Sequence, residues 1–92
     1  MDARRSKLKY RAWRRGFVEA DLVLGPFADA HLTALDEAEL DQLELLLEQP
    51  DHDLYAWITG QTEPPGDMDV PVLAMIRQFR FHARLARADL GA

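Results

Sequence analysis

Residues 14–28 read Arg14-Arg15-Gly16-Phe17-Val18-Glu19-Ala20-Asp21-Leu22-Val23-Leu24-Gly25-Pro26-Phe27-Ala28. On a helix of about 3.6 residues per turn, Arg15 and Glu19 lie one turn apart on one face. Phe17, Ala20 and Leu24 fall on the opposite face. The spacing therefore predicts a charged pair looking outward and an apolar stripe looking inward. Leu22, Val23 and Leu24 point in three directions, the pattern of a helix buried on much of its circumference. Gly25-Pro26 predicts the end of the regular helix, since proline clashes with the turn before it. A shorter continuation through Leu32 follows, because proline suits a first helical position. This motif helix, 16–32, is expected at the centre of a small bundle.

Upstream, residues 3–15 hold no Gly or Pro and many good helix formers, which predicts a basic helix. Tyr10, Trp13 and Phe17 make an aromatic stripe at i, i+3, i+7, read as core rather than as a platform for stacked bases. Downstream, Asp36 and Glu39 have capping-box spacing, and Leu40, Leu43, Leu46 and Leu47 form an apolar stripe, giving a helix over 36–49 stopped by Pro50. Residues 51–59 predict a short helix capped near Asp51 and closed by Gly60. A loop over 61–66 leads into a last helix, 68–88, with Val72, Met75, Ile76, Phe79 and Ala83 on one side. Arg77, Arg80, Arg84 and Arg87 lie mostly off that stripe. No stretch alternates long enough to argue for a strand. The expected fold is all-α, a single-domain bundle of about five helices spanning 1–92.

Composition narrows the function classes. Ninety-two residues, 48% of them apolar, make one small domain with a core. The absence of cysteine excludes disulfides and thiolate metal sites. No apolar run approaches the ~20 residues that span a bilayer, and the basic start has no apolar segment behind it, so membrane insertion is not expected and a cytoplasmic location is. Charge is strongly segregated. Residues 1–15 carry seven Lys/Arg against one Asp, and residues 16–69 carry fourteen Asp/Glu and no Lys or Arg. Residues 70–92 carry four Arg against one Asp. These blocks can attract one another within the fold, or offer a basic surface to an acidic partner.

Little in the chain suggests a reaction centre. His31, His52 and His82 are far apart and lack metal-ligand spacing. Ser6 is the only serine, and the five glycines stand singly, so neither a serine triad nor a phosphate loop is supported. Asp51-His52-Asp53 is better read as a helix start than as an acid–base cluster. Arg15, Gly16 and Glu19 invite a different reading. An exposed i, i+4 pair contributes only ~0.3–0.5 kcal/mol, and Arg before Glu is the weaker order. A glycine inside a helix costs ~1 kcal/mol relative to Ala. Stability is thus a thin reason for the combination. It makes sense if Gly16 lets a partner's backbone come close while Arg15 and Glu19 make charge-assisted bonds.

The succession Arg14-Arg15-Gly16-Phe17-Val18-Glu19-Ala20-Asp21-Leu22, Gly25-Pro26-Phe27-Ala28, the acidic Leu-rich helix at 39–48 and Asp51-His-Asp-Leu-Tyr-Ala-Trp-Ile-Thr-Gly60 resembles the succinate dehydrogenase flavinylation (assembly) factors. The likeness covers about residues 8–60. It implies a five-helix bundle that binds the flavoprotein subunit of succinate dehydrogenase, and in some bacteria that of fumarate reductase. Such factors promote covalent attachment of FAD to a client histidine. The family's R-G-x-x-E motif falls on Arg15, Gly16 and Glu19, which are implied to face the client, with Arg14, Arg11 and Asp21 secondary. The resemblance implies an assembly factor with the FAD held by the client, rather than an enzyme with its own cofactor or metal, and a monomer is expected. Two rivals stand beside it. One is a nucleic-acid-binding or antitoxin-like regulator using the basic 1–15 segment with Tyr10 and Trp13. The acidic middle works against it, so no nucleic acid is expected. The other is a flavin carrier, which would need a phosphate-binding loop.

Overall fold

The computed structural model describes residues 2–91, with side chains through residue 85. Five α-helices follow one another: α1 (Ala3–Trp13), α2 (Val18–His31), α3 (Glu37–Leu47), α4 (Asp51–Thr59) and α5 (Pro71–Gly91). Short 3-10 turns at Leu32–Ala34 and Gly66–Met68 precede α3 and α5. Among the described residues there is no strand. The architecture is the expected all-α bundle. Helix α2 packs on α1, α4 and α5, while α3 closes the bundle against α1 and α5.

Local chemistry starts and stops the helices. Asp2 caps α1 by accepting the Arg5 backbone N–H at 2.8 Å. At α3 the capping box is complete: Asp36 Oδ1 accepts the Glu39 N–H at 2.8 Å, and Glu39 Oε1 accepts the Asp36 N–H at 2.9 Å. Gly60 ends α4 in the left-handed region, φ +79°. Helix α5 begins at Pro71 rather than at 68, because the residue before a proline is disfavoured in the α region. Gln42 of α3 accepts the Val72 N–H at 3.1 Å, which satisfies one of the open donors in that first turn.

The core is one aliphatic cluster with Phe27 and Trp57. Leu24, Phe27, Leu40, Leu43, Leu46, Leu54, Val72, Leu73 and Ile76 are all but sealed from water. The Leu40–Leu47 stripe and the Val72–Ile76 stripe both face it. Three expectations need correction. First, Gly25-Pro26 does not end α2, which runs unbroken from Val18 to His31. Pro26 cannot donate to the Leu22 carbonyl, but burial of Leu24, Phe27 and Ala28 on both sides of it holds the helix together. Gly25 serves packing: a Cβ there would lie 2.3 Å from the nearest Trp13 ring atom, so the indole rests directly on the α2 backbone. Second, of the Tyr10, Trp13, Phe17 stripe only Phe17 packs against the core, while Tyr10 and Trp13 lie at the surface. Leu8 and Ala12 are the buried residues of α1, and Tyr10 is 64% exposed. Third, α2 leaves Val18 and Leu22 in water, 65% and 57% exposed, so its circumference is less covered than the Leu22-Val23-Leu24 run suggested. Arg87 falls outside the residues with described side chains.

Candidate docking surface at the first interhelical turn

Residues 14–17 form a tight turn rather than the start of a helix. Arg14 ends α1 with φ −132° and ψ 44°, Gly16 takes φ +84°, and Phe17 is the extended N-cap of α2. Arg15 and Glu19 therefore do not share a helix face. The left-handed residue between them breaks the i, i+4 geometry, and the outward-looking charged pair is not formed.

Arg15 points inward. Its side chain is only 8% exposed. Nε donates to Asp51 Oδ1 at 2.7 Å, and Nη1 and Nη2 donate to the carbonyls of Leu47 and Gln49, each at 2.6 Å. The planar fork thus sits on the C-terminal carbonyls of α3, where the helix dipole favours a cation. It also reaches the first residue of α4. Asp51 is that first residue and not the cap, since Pro50 holds the N-cap position; its carboxylate is committed to Arg15. The backbone N–H of Arg15 donates to Asp21 Oδ1 at 3.1 Å, so half-buried Asp21 fastens the turn from the α2 side. Four donors of one residue hold the turn against α2, α3 and α4.

What this fixture presents is exposed. Nothing lies within 4 Å of the position a Gly16 Cβ would occupy, so Gly16 opens a notch on the surface. Its positive φ is the backbone shape that glycine alone adopts without strain. Glu19, in the first turn of α2, is exposed and forms no ion pair among the described residues. On the other side, Tyr10, Arg11 and Arg14 rim a shallow hollow of about 270 Å³, with the Arg14 guanidinium carbon 5.1 Å from the Tyr10 ring centroid. Phe17 braces the turn from below, edge-on to His52 at 4.8 Å and to Tyr55 at 5.5 Å. The sequence-derived set therefore divides. Gly16, Glu19, Arg14 and Arg11 reach the surface, while Arg15 and Asp21 hold it in shape.

Other candidate chemistry is dispersed. His31 clusters with the rings of Phe27 and Phe79, which also touch each other, and His52 lies against Phe17. Among the described residues no group of three or more His, Asp or Glu is placed to hold a metal ion. Nor is any helix long and apolar enough to cross a membrane. The basic segment is largely engaged within the protein. Arg4 pairs with Glu37, Asp41 and Glu44, Arg5 with Asp2 and two backbone carbonyls, Lys9 with Asp29, and Arg15 as above. Those four cations are unavailable as a continuous strip for phosphates, which weakens the nucleic-acid reading.

Comparison with known proteins agrees with the family resemblance. A family model described as flavinator of succinate dehydrogenase matches residues 6–80. A mitochondrial succinate dehydrogenase assembly factor 2 of Dictyostelium discoideum is 40% identical over 73 residues, covering 79% of this chain and 52% of that protein. The corresponding protein of Scheffersomyces stipitis is 37% identical over 82 residues, 85% of this chain and 55% of its own length. An FAD assembly factor SdhE of Acetobacter pasteurianus is 38% identical over 71 residues, 77% of this chain and 65% of its own. The chain thus spans about half the length of the mitochondrial relatives.

Proposed function

Because the chain belongs to the family of succinate dehydrogenase flavinators, we propose that it docks on the flavoprotein subunit of that enzyme and promotes covalent attachment of FAD there. The flavoprotein of fumarate reductase is a second client of the same kind. The observation that carries this reading is the open notch at Gly16, bordered by exposed Glu19 and Arg14 and held rigid by the inward fork of Arg15. A notch without a side chain lets a partner's backbone approach, and the flanking charges give directed bonds to it.

The factor acts without a reaction centre of its own. The client supplies both the histidine and the flavin, and FAD stays with the client throughout. A small bundle accelerates the step by favouring the client conformation in which those groups are aligned. Alignment of reacting groups is worth several kcal/mol, so selective binding of the aligned state is sufficient. Gly16, Glu19, Arg14 and Arg11 make the contacts, and Arg15 and Asp21 are positioning residues.

The test is co-expression of the flavoprotein with wild type, Gly16→Arg or Glu19→Gln, with covalent flavin read as fluorescence in a denaturing gel. Both variants are expected to lower the signal strongly. Gly16→Arg is strained at φ +84°, so its thermal melt is read in parallel. Glu19→Gln keeps the exposed helix start and serves as the folded control. Full fluorescence with both variants overturns this surface.

A further inference from the structure

A groove of about 290 Å³ runs between α2 and α5, floored by Tyr55 of α4. Glu19, three residues after Gly16, is one of its lining residues, so one end of the groove lies near the notch. Its walls are apolar: Leu22 and Val23 on one side, Phe79 and Ala83 on the other. Leu22 is 57% exposed, and Val18 one turn earlier extends the apolar strip toward the notch. Arg80 and Arg84 stand one turn apart on the α5 rim, and neither forms an ion pair among the described residues. The volume lies just below the ~300–1,000 Å³ of ordinary ligand pockets, which argues against a whole flavin dinucleotide as occupant. One or two apolar side chains fit it better.

We propose that this groove is the second half of the docking surface and receives an amphipathic segment of the flavoprotein client. An apolar side chain of that segment lies between Leu22 and Phe79, and a carboxylate of the same segment pairs with Arg80 and Arg84. The proposal rests on the reading of the chain as a factor that docks on that client. Charge fixes the orientation. Glu19 on the α2 rim repels a carboxylate, while the two arginines on the α5 rim attract one, so the acidic side of the segment lies over α5. Contact at the notch and in the groove together gives the longer footprint that a stable complex needs.

The chain has no cysteine, so Ala83→Cys creates a unique attachment point for a photoactivatable crosslinker inside the groove. The labelled full chain is irradiated with purified flavoprotein subunit, and the adduct is mapped by mass spectrometry. The expected product is an adduct to a client segment that carries an apolar residue flanked by Asp or Glu. Binding to the same subunit is then measured for Leu22→Asp and for the double variant Arg80→Glu/Arg84→Glu. Each is expected to weaken binding at least ~10-fold, and the loss from the double variant is expected to shrink as salt rises. An adduct from Val18→Cys without one from Ala83→Cys overturns the groove while leaving the docking function in place. So does unchanged affinity in both groove variants, or an adduct formed only between two copies of this chain. No binding of wild type to the flavoprotein overturns both readings.

Discussion

Two arginines near opposite ends of α1 both reach α3, and they do so in opposite physical regimes. Arg4 pairs with Glu37, Asp41 and Glu44, whose side chains are 85%, 72% and 42% exposed. Arg15 places a side chain only 8% exposed on two backbone carbonyls and Asp51. At Arg4, water competes for every charge, and each pair contributes on the order of 0.2–1 kcal/mol. At Arg15 the guanidinium itself is nearly out of water, and it bonds two backbone carbonyls at the end of α3 besides the partly exposed Asp51 carboxylate. The basic start and acidic middle of the chain do attract one another, but that attraction is the weaker of the two ties. The stronger one is the arginine that shapes the turn carrying Gly16.

The largest expected effect separates the two directly. Arg15→Ala leaves the Leu47 and Gln49 carbonyls short of donors and Asp51, 35% exposed, to water, a loss of about 2–4 kcal/mol in urea unfolding. A loss no larger than that of Arg4→Ala would break the comparison. Arg15→Lys keeps the charge but not the fork, and falls between wild type and alanine. Next comes Gly25→Ala, expected to cost about 1–3 kcal/mol, since the new Cβ forces the Trp13 ring off the α2 backbone. Gly16→Ala follows at roughly 1–2 kcal/mol, from backbone strain alone, because the space above it is open. Arg4→Ala loses under about 1 kcal/mol, and less still in high salt.

The smallest effect lies at the exposed start of α1. The Arg5 backbone N–H, and after it the Arg5 guanidinium, hold the Asp2 carboxyl below its ordinary value of 3.8. A carboxyl lowered in this way stabilises the fold above that value, and the contribution disappears as pH falls through the lowered one. Circular dichroism of wild type and Asp2→Ala is therefore expected to differ slightly in melting point at neutral pH. The two are expected to converge as the solution is acidified below 3.8.

Features written in neighbouring residues were legible in the sequence. The five helices follow from periodicity, the α3 start from Asp36 and Glu39, and the α4 stop from Gly60. Features decided by distant packing were not. Gly25-Pro26 carries the local signature of a helix end, yet Trp13 resting on Gly25 and Phe27 in the core carry α2 past it. Tyr10 has the spacing of a core residue, but Leu8 and Ala12 take that role and leave it to Arg14. The motif was found from its residue types, whereas its division of labour was hidden. Arg15 and Glu19 look paired only if the helix continues through Gly16. One observation did point the other way: a glycine between them is the commonest residue for a positive φ, and a turn at that place points Arg15 elsewhere.

In the proposed complex Gly16 and Glu19 meet the client while Arg15 stays inside. The decisive experiment is calorimetric titration of purified flavoprotein subunit with Glu19→Ala, with the variant's melting temperature recorded alongside. Affinity is expected to fall at least ~10-fold with a melting temperature close to wild type, since Glu19 is exposed and its favourable place at the helix start is worth only ~0.3–1 kcal/mol. Wild-type affinity in a folded Glu19→Ala protein contradicts that arrangement.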